Sequence, residues 1–96
     1  MDYKQQINEF ARRADALRGK LTLAAKSEVI YCDVIALCND MEKAIKDCTD
    51  EMFYAAVYNA RATIMTAPEK CSVAQLKDAL SDGADELRLM CECFDN

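Results

Sequence analysis

The run Met52–Tyr58 (MFYAAVY) constrains this chain more than any other stretch, because its seven residues carry no charge and no strongly polar group. A surface helix normally alternates an apolar stripe with a polar face. Here the helix is apolar nearly all the way round for two turns, within the longer segment Asp50–Thr66. Such a helix belongs in the middle of a bundle or under a partner. The rest of the chain reads as helices able to pack around it.

The chain's 96 residues suffice for one domain, spanning 1–96, and leave no room for two good cores. A chain of this size buries roughly 60–70 % of its unfolded surface, so it can fold alone with modest stability. Helix formers dominate, with two glycines (Gly19, Gly83), one proline (Pro68) and no tryptophan. That composition predicts an all-α fold. The first residues, MDYKQQINEFARR, contain no apolar segment of the secretory kind. No apolar run approaches the ~20 residues needed to cross a bilayer. The expected location is the cytoplasm.

The net charge of −5 is unevenly spread. Residues 1–26 hold six basic and three acidic groups, whereas 27–66 and 67–96 each hold three basic and seven acidic ones. An acidic chain repels nucleic acid and anionic membranes and attracts basic partners. Its plainest use is solubility.

Four helices are predicted, at about 2–25, 27–47, 50–66 and 72–94. In the first, Tyr3, Ile7, Phe10, Ala14, Leu17 and Leu21 recur at spacings of four and three, which places them on one face. A break or bend is expected within 19–27, with Gly19 as a C-terminal cap and Thr22 or Ser27 opening the next helix. The second stripe is Ile30, Val34, Leu37, Met41, Ile45 and Cys48. Glu28 at its start and Lys43 and Lys46 at its end suit the helix dipole. Thr49-Asp50-Glu51 reads as a capping hydroxyl followed by first-turn acids. The alternative is one continuous helix over 27–66. The third helix stops before Pro68, which disfavours helix at Ala67. Ser72-Val-Ala-Gln75 is a capping box that opens the last helix. Its inner stripe is Val73, Leu76, Leu80, Gly83, Leu87, Cys91 and Phe94, and the stripe continues across Gly83, where a missing side chain lets a neighbour approach. Short connections make sequential helices antiparallel, giving an up-and-down bundle of three or four helices.

Histidine is absent. That removes the commonest general base, the commonest metal ligand and the Ser-His and Cys-His nucleophile pairs. Phosphate-binding glycine loops are missing, and the residues before Asp82-Gly83 lack the alternating acids of a calcium loop. The expectation is no catalysis, no cofactor and no metal. The six cysteines (Cys32, Cys38, Cys48, Cys71, Cys91, Cys93) do not form the close pairs by which thiolates converge on zinc. They read as reduced, mostly buried thiols, each a small hydrophobe. Cys71 in a loop and Cys93 near the end are the candidates for exposure. A redox or metal sensor is the thiol-based alternative.

Two surface features remain. Asp78, Asp82, Asp85 and Glu92 recur at i, i+4, i+7 and i+14, with Glu86 and Asp95 flanking. Like charges at helix spacing cost a few tenths of a kcal/mol per pair. The plain reading is a solvated face. The functional reading is an inhibitor, of the kind carried by phages or mobile elements, whose stripe occupies a basic nucleic-acid-binding surface of a partner. The second feature is the apolar surplus of the third helix. Phe53, Tyr54, Tyr58 and Met65 are expected to contact a partner, since they point in several directions and tyrosine and methionine suit contact surfaces. The leading expectation is therefore a small acidic protein–protein interaction module. Its partner is another protein or a second copy, as a homodimer through the 50–66 helix, with no direct nucleic-acid contact and no membrane.

Overall fold

The structure is a computed structural model that describes residues 2–23, 27–67 and 71–94, with the side chains of 22–30 excepted. Among the described residues four helices pack against one another: α1 (Tyr3–Leu23), α2 (Ser27–Ile45), α3 (Glu51–Ile64) and α4 (Val73–Cys91), followed by a 3-10 turn over Glu92–Phe94. No strand occurs among the described residues. The bundle is elongated, 42 × 22 × 17 Å. The all-α, up-and-down expectation holds, and the choice between three helices and four falls to four.

The helices begin where the side chains can cap them. Asp50 has extended backbone, and its carboxylate accepts the amide of Phe53 at 2.8 Å. The cap of α3 is thus Asp50 and not Thr49: a carboxylate accepts the free amides of the first turn and also meets the positive end of the dipole. Ser72 and Gln75 form the reciprocal capping box at α4, with Gln75 N donating to Ser72 Oγ and Ser72 N to Gln75 Oε1, both at 3.1 Å.

Gly19 does not end α1, which runs through it to Leu23. One glycine in a long helix costs about 1 kcal/mol relative to alanine, too little to break it. Thr22 accordingly lies inside α1. Any break falls on 24–26, outside the described residues, as do Pro68 and Asp95. The helix α4 is continuous across Gly83.

One hydrophobic cluster draws on all four helices. From α1 it takes Ile7, Phe10, Ala14, Leu17 and Leu21, and from α2 Val34, Leu37, Met41 and Ile45. From α4 come Leu76, Leu80, Leu87 and Cys91. The predicted stripes are these faces, with Tyr3, Cys48, Val73 and Phe94 half-buried at their ends. Ile30 lies outside the described side chains.

The helix α3 is not central. The tightest packing is α1 against α4, then α3 against α4, with little contact between α1 and α3. Each helix occupies one corner of the bundle, so α3 keeps an outer face despite its composition. Ion pairs trim the corners: Arg13 meets Asp40 at 2.8 Å between α1 and α2, and Arg88 meets Asp15 between α4 and α1.

Candidate protein-binding surface

Helical geometry divides the apolar residues of α3 into two lines. Phe53, Val57, Ala60 and Ile64 follow one another at i, i+4, i+7 and i+11, and all are buried, together with Ala56. Phe53 is therefore corrected: it is fully buried, its ring 4.5 Å from that of Tyr3, and it belongs to the core and not to a contact surface. Tyr54, Tyr58 and Met65 lie roughly 100° further round, at i, i+4 and i+11, and form the outer line. They stay exposed, Tyr58 at 51 % and Tyr54 at 44 %. The two tyrosine rings stack with centroids 5.8 Å apart and planes 11° from parallel. An exposed aromatic pair that is already stacked presents apolar area with little side-chain freedom left to lose on binding.

This line borders a groove between α2 and α3 of about 570 Å³, lined by Asn39, Glu42, Lys43, Ile45, Lys46, Tyr54, Tyr58 and Arg61. Asn39, Glu42 and Lys43 share one face of α2, and Lys46 follows in the turn directly after it. The lining holds three cations and one carboxylate, a local charge of +2 on a chain of −5. Arg61 is fixed: its Nε donates to the carbonyl of Cys38 at 3.1 Å, and its Nη2 reaches Glu42 at 3.2 Å. Lys43 and Lys46 are exposed. Sequence reasoning treated both lysines only as partners of the helix dipole. Their closeness in sequence to Asn39 and Glu42 is legible, but that these residues face Tyr54 and Tyr58 depends on the α2–α3 register.

The acidic stripe of α4 is shorter than its spacing predicts. Asp78, Asp82, Asp85 and Glu92 are exposed, although Glu92 lies past the end of α4 in the 3-10 turn. Asp85 accepts from Arg88 Nη1 at 3.3 Å. Glu86 is corrected: it is half-buried against α3, where Oε1 accepts the hydroxyl of Thr63 at 2.7 Å. Its Oε2 is buried with no hydrogen-bond partner among the described residues. The residue that shares the aspartate face is Leu89, at 69 % the most exposed large apolar side chain among the described residues and not anticipated from sequence.

The thiols need one correction. Cys71 is buried, while Cys32 joins Cys93 on the surface. Cys71 directly precedes the cap Ser72, the position from which an apolar residue folds back onto the first turn of a helix. Burial pushes the Cys38 thiol above its ordinary range, with the Arg61 guanidinium pulling the other way. Among the described residues no group of three or more Cys, Asp or Glu side chains converges to hold a metal ion. None of their helices is long and apolar enough to cross a membrane.

No family model matches the chain, and neither a curated protein nor a solved structure matches it.

Proposed function

We propose that this chain is a protein–protein interaction module that works by binding, with the outer line of α3 and the adjoining groove as its contact surface. The observation that carries this reading is the exposed stack of Tyr54 on Tyr58 beside a concave surface. Aromatic residues, methionine and arginine are the types that anchor interfaces, and here Tyr54, Tyr58 and Arg61 stand along one line of α3 with Met65 at its C-cap. From Tyr54 to Met65 that line is about 16 Å long. With the α2 wall beside it, the face is broad enough to contribute to an interface of standard size. The acidic stripe is the weaker candidate, because Glu86 turns inward and Glu92 lies past the end of α4.

The test is site-specific photo-crosslinking. A photoreactive phenylalanine analogue replaces Tyr58, or Met65, or Arg12 on the outer face of α1, and the protein is irradiated in its own cell. Adducts of one defined mass are expected from positions 58 and 65 and not from 12. Twice the chain mass identifies a homodimer; any other mass identifies a different partner. Equal labelling from all three positions, or none from the α3 positions, would overturn the reading.

A further inference from the structure

We infer that the occupant of the α2–α3 groove is an acidic segment of a partner protein, with carboxylates that meet Lys43 and Lys46 and an apolar side chain that packs on the Tyr54–Tyr58 stack. This rests on the reading of that face as protein-binding. The argument begins with charge. The chain as a whole is −5, yet the groove lining carries a local +2. Such a reversal favours a ligand whose negative charge is confined to the length of the groove. Lys43 in the last turn of α2 and Lys46 in the turn after it both line the groove and are exposed, so they suit two neighbouring carboxylates.

Arg61 shows what that ligand replaces. Its partner Glu42 is an exposed carboxylate, with 65 % of its side chain in solvent, while the arginine is held on the other side by the Cys38 carbonyl. The guanidinium is therefore pre-aimed, and Glu42 stands in for a carboxylate brought from outside. Exposed pairs of this kind are weak and exchange readily. Next to these charges the tyrosine stack supplies apolar area.

Nucleic acid is the competing occupant, since stacked aromatics flanked by cations also bind single strands. One end of the groove argues against it. Past Lys46 and Tyr54 the surface carries Asp47 and Glu51, both exposed, and a strand leaving that way would run along carboxylates. A short peptide ends its charge where the groove ends.

The experiment is fluorescence anisotropy on the intact chain with three labelled probes. One is an amphipathic peptide with leucines at helical spacing and glutamates flanking them. The second is the same peptide with lysines for glutamates, and the third is a short oligothymidine. The acidic peptide is expected to bind best and to weaken as salt rises through about 0.15 M. Lys43→Glu with Lys46→Glu should weaken it roughly tenfold or more, with circular dichroism unchanged. Tyr58→Ala should weaken it as well. Glu42→Gln, which frees Arg61, should tighten it, and a gain in affinity is not an effect that misfolding produces. Equal binding of the acidic and basic peptides, or indifference to the lysine reversals, would overturn the inference. So would tighter binding of oligothymidine through the same lysines. If crosslinks form from position 58 in the cell while the acidic peptide fails to bind, the interface stands and only the acidic occupant falls.

Discussion

A β-carbon placed on Gly83 would sit 2.6 Å from Cγ1 of Ile64 and 2.9 Å from its Cδ1. That contact sets how closely α3 and α4 approach. The Ala60 carbonyl oxygen, at 3.3 Å, closes the space from the backbone side. Ile64 is buried and β-branched, so it has little room to turn aside. Alanine at 83 gains about 1 kcal/mol of helix propensity, but overpacking a filled core costs about 1–3 kcal/mol. Gly83→Ala is therefore expected to destabilise by about 1 kcal/mol, read from urea midpoints. In an Ile64→Ala background the side-chain clash is gone and only the 3.3 Å approach to the Ala60 carbonyl remains, so the same substitution should stabilise by less than about 1 kcal/mol. Gly19 is the control: nothing lies within 4 Å of its β-carbon, so Gly19→Ala should stabilise in either background. A Gly83→Ala that stabilises with Ile64 in place would show that the packing is looser than described.

The helix caps give a second test. Asp50→Ala and Ser72→Ala should each cost about 1 kcal/mol, because each leaves a first-turn amide without its side-chain acceptor. Thr49→Ala should change stability by less than about 0.5 kcal/mol, as expected for an exposed residue outside these contacts. Thermal or urea denaturation of the three variants side by side decides this. A loss at Thr49 equal to that at Asp50 would place the cap at Thr49 after all.

Those two caps also show what was legible in the sequence. The capping box at Ser72 and Gln75 was readable because both partners lie within four residues. The cap of α3 was displaced by one, since Thr49 and Asp50 are both good acceptors and only the backbone decides between them. The core stripes were readable because their period is fixed by the helix. The site was less so. The sequence shows that Phe53, Tyr54 and Tyr58 point in several directions, roughly 100° of rotation per residue, but not which of those directions faces the core. That angle puts Phe53 against Tyr3 and Tyr54 in solvent. Glu86, which flanks the acidic stripe in sequence, turns towards α3 for the same reason. The groove required the alignment of α2 on α3, which no local spacing encodes.

Glu86 gives a third test. One of its oxygens accepts from Thr63, and the other is buried without a partner among the described residues. A buried acceptor left unsatisfied costs about 1–3 kcal/mol. Glu86→Leu removes both oxygens and extends the apolar neighbourhood of Leu89 and Met90 that lines the same α3–α4 groove. It is expected to stabilise by about 1 kcal/mol, discounted because the residue is only half-buried. Thr63→Ala should destabilise, since it strips the carboxylate of its donor. Combined with Glu86→Leu it should cost much less. A destabilised Glu86→Leu would mean that an ordered water or a bound partner satisfies the second oxygen.

The thiols give the last test. Cys32 and Cys93 are exposed, whereas Cys38, Cys71 and Cys91 are buried. A thiol reagent is therefore expected to modify Cys32 and Cys93 quickly in the native protein and the buried three only as it unfolds, with mass spectrometry locating the adducts. Alkaline pH should act on the fold through Cys38, whose thiol is raised from its ordinary 9.0 by burial, against a smaller opposing pull from Arg61. The folded state holds that proton more tightly than the unfolded chain. The stability it contributes is thus complete below the unfolded value and is lost as pH climbs through the folded one. Tyr3 has the same sign at higher pH: its hydroxyl is raised from 10.0, chiefly by the contact with Cys48 Sγ at 4.0 Å and then by desolvation. Urea midpoints are expected to fall in two stages, the first beginning near pH 9 and the second above pH 10. Cys38→Ala should flatten the first stage and leave the second, while Tyr3→Phe should do the reverse. A Cys38→Ala variant that keeps the full first stage would show that this thiol titrates as freely in the fold as in the unfolded chain.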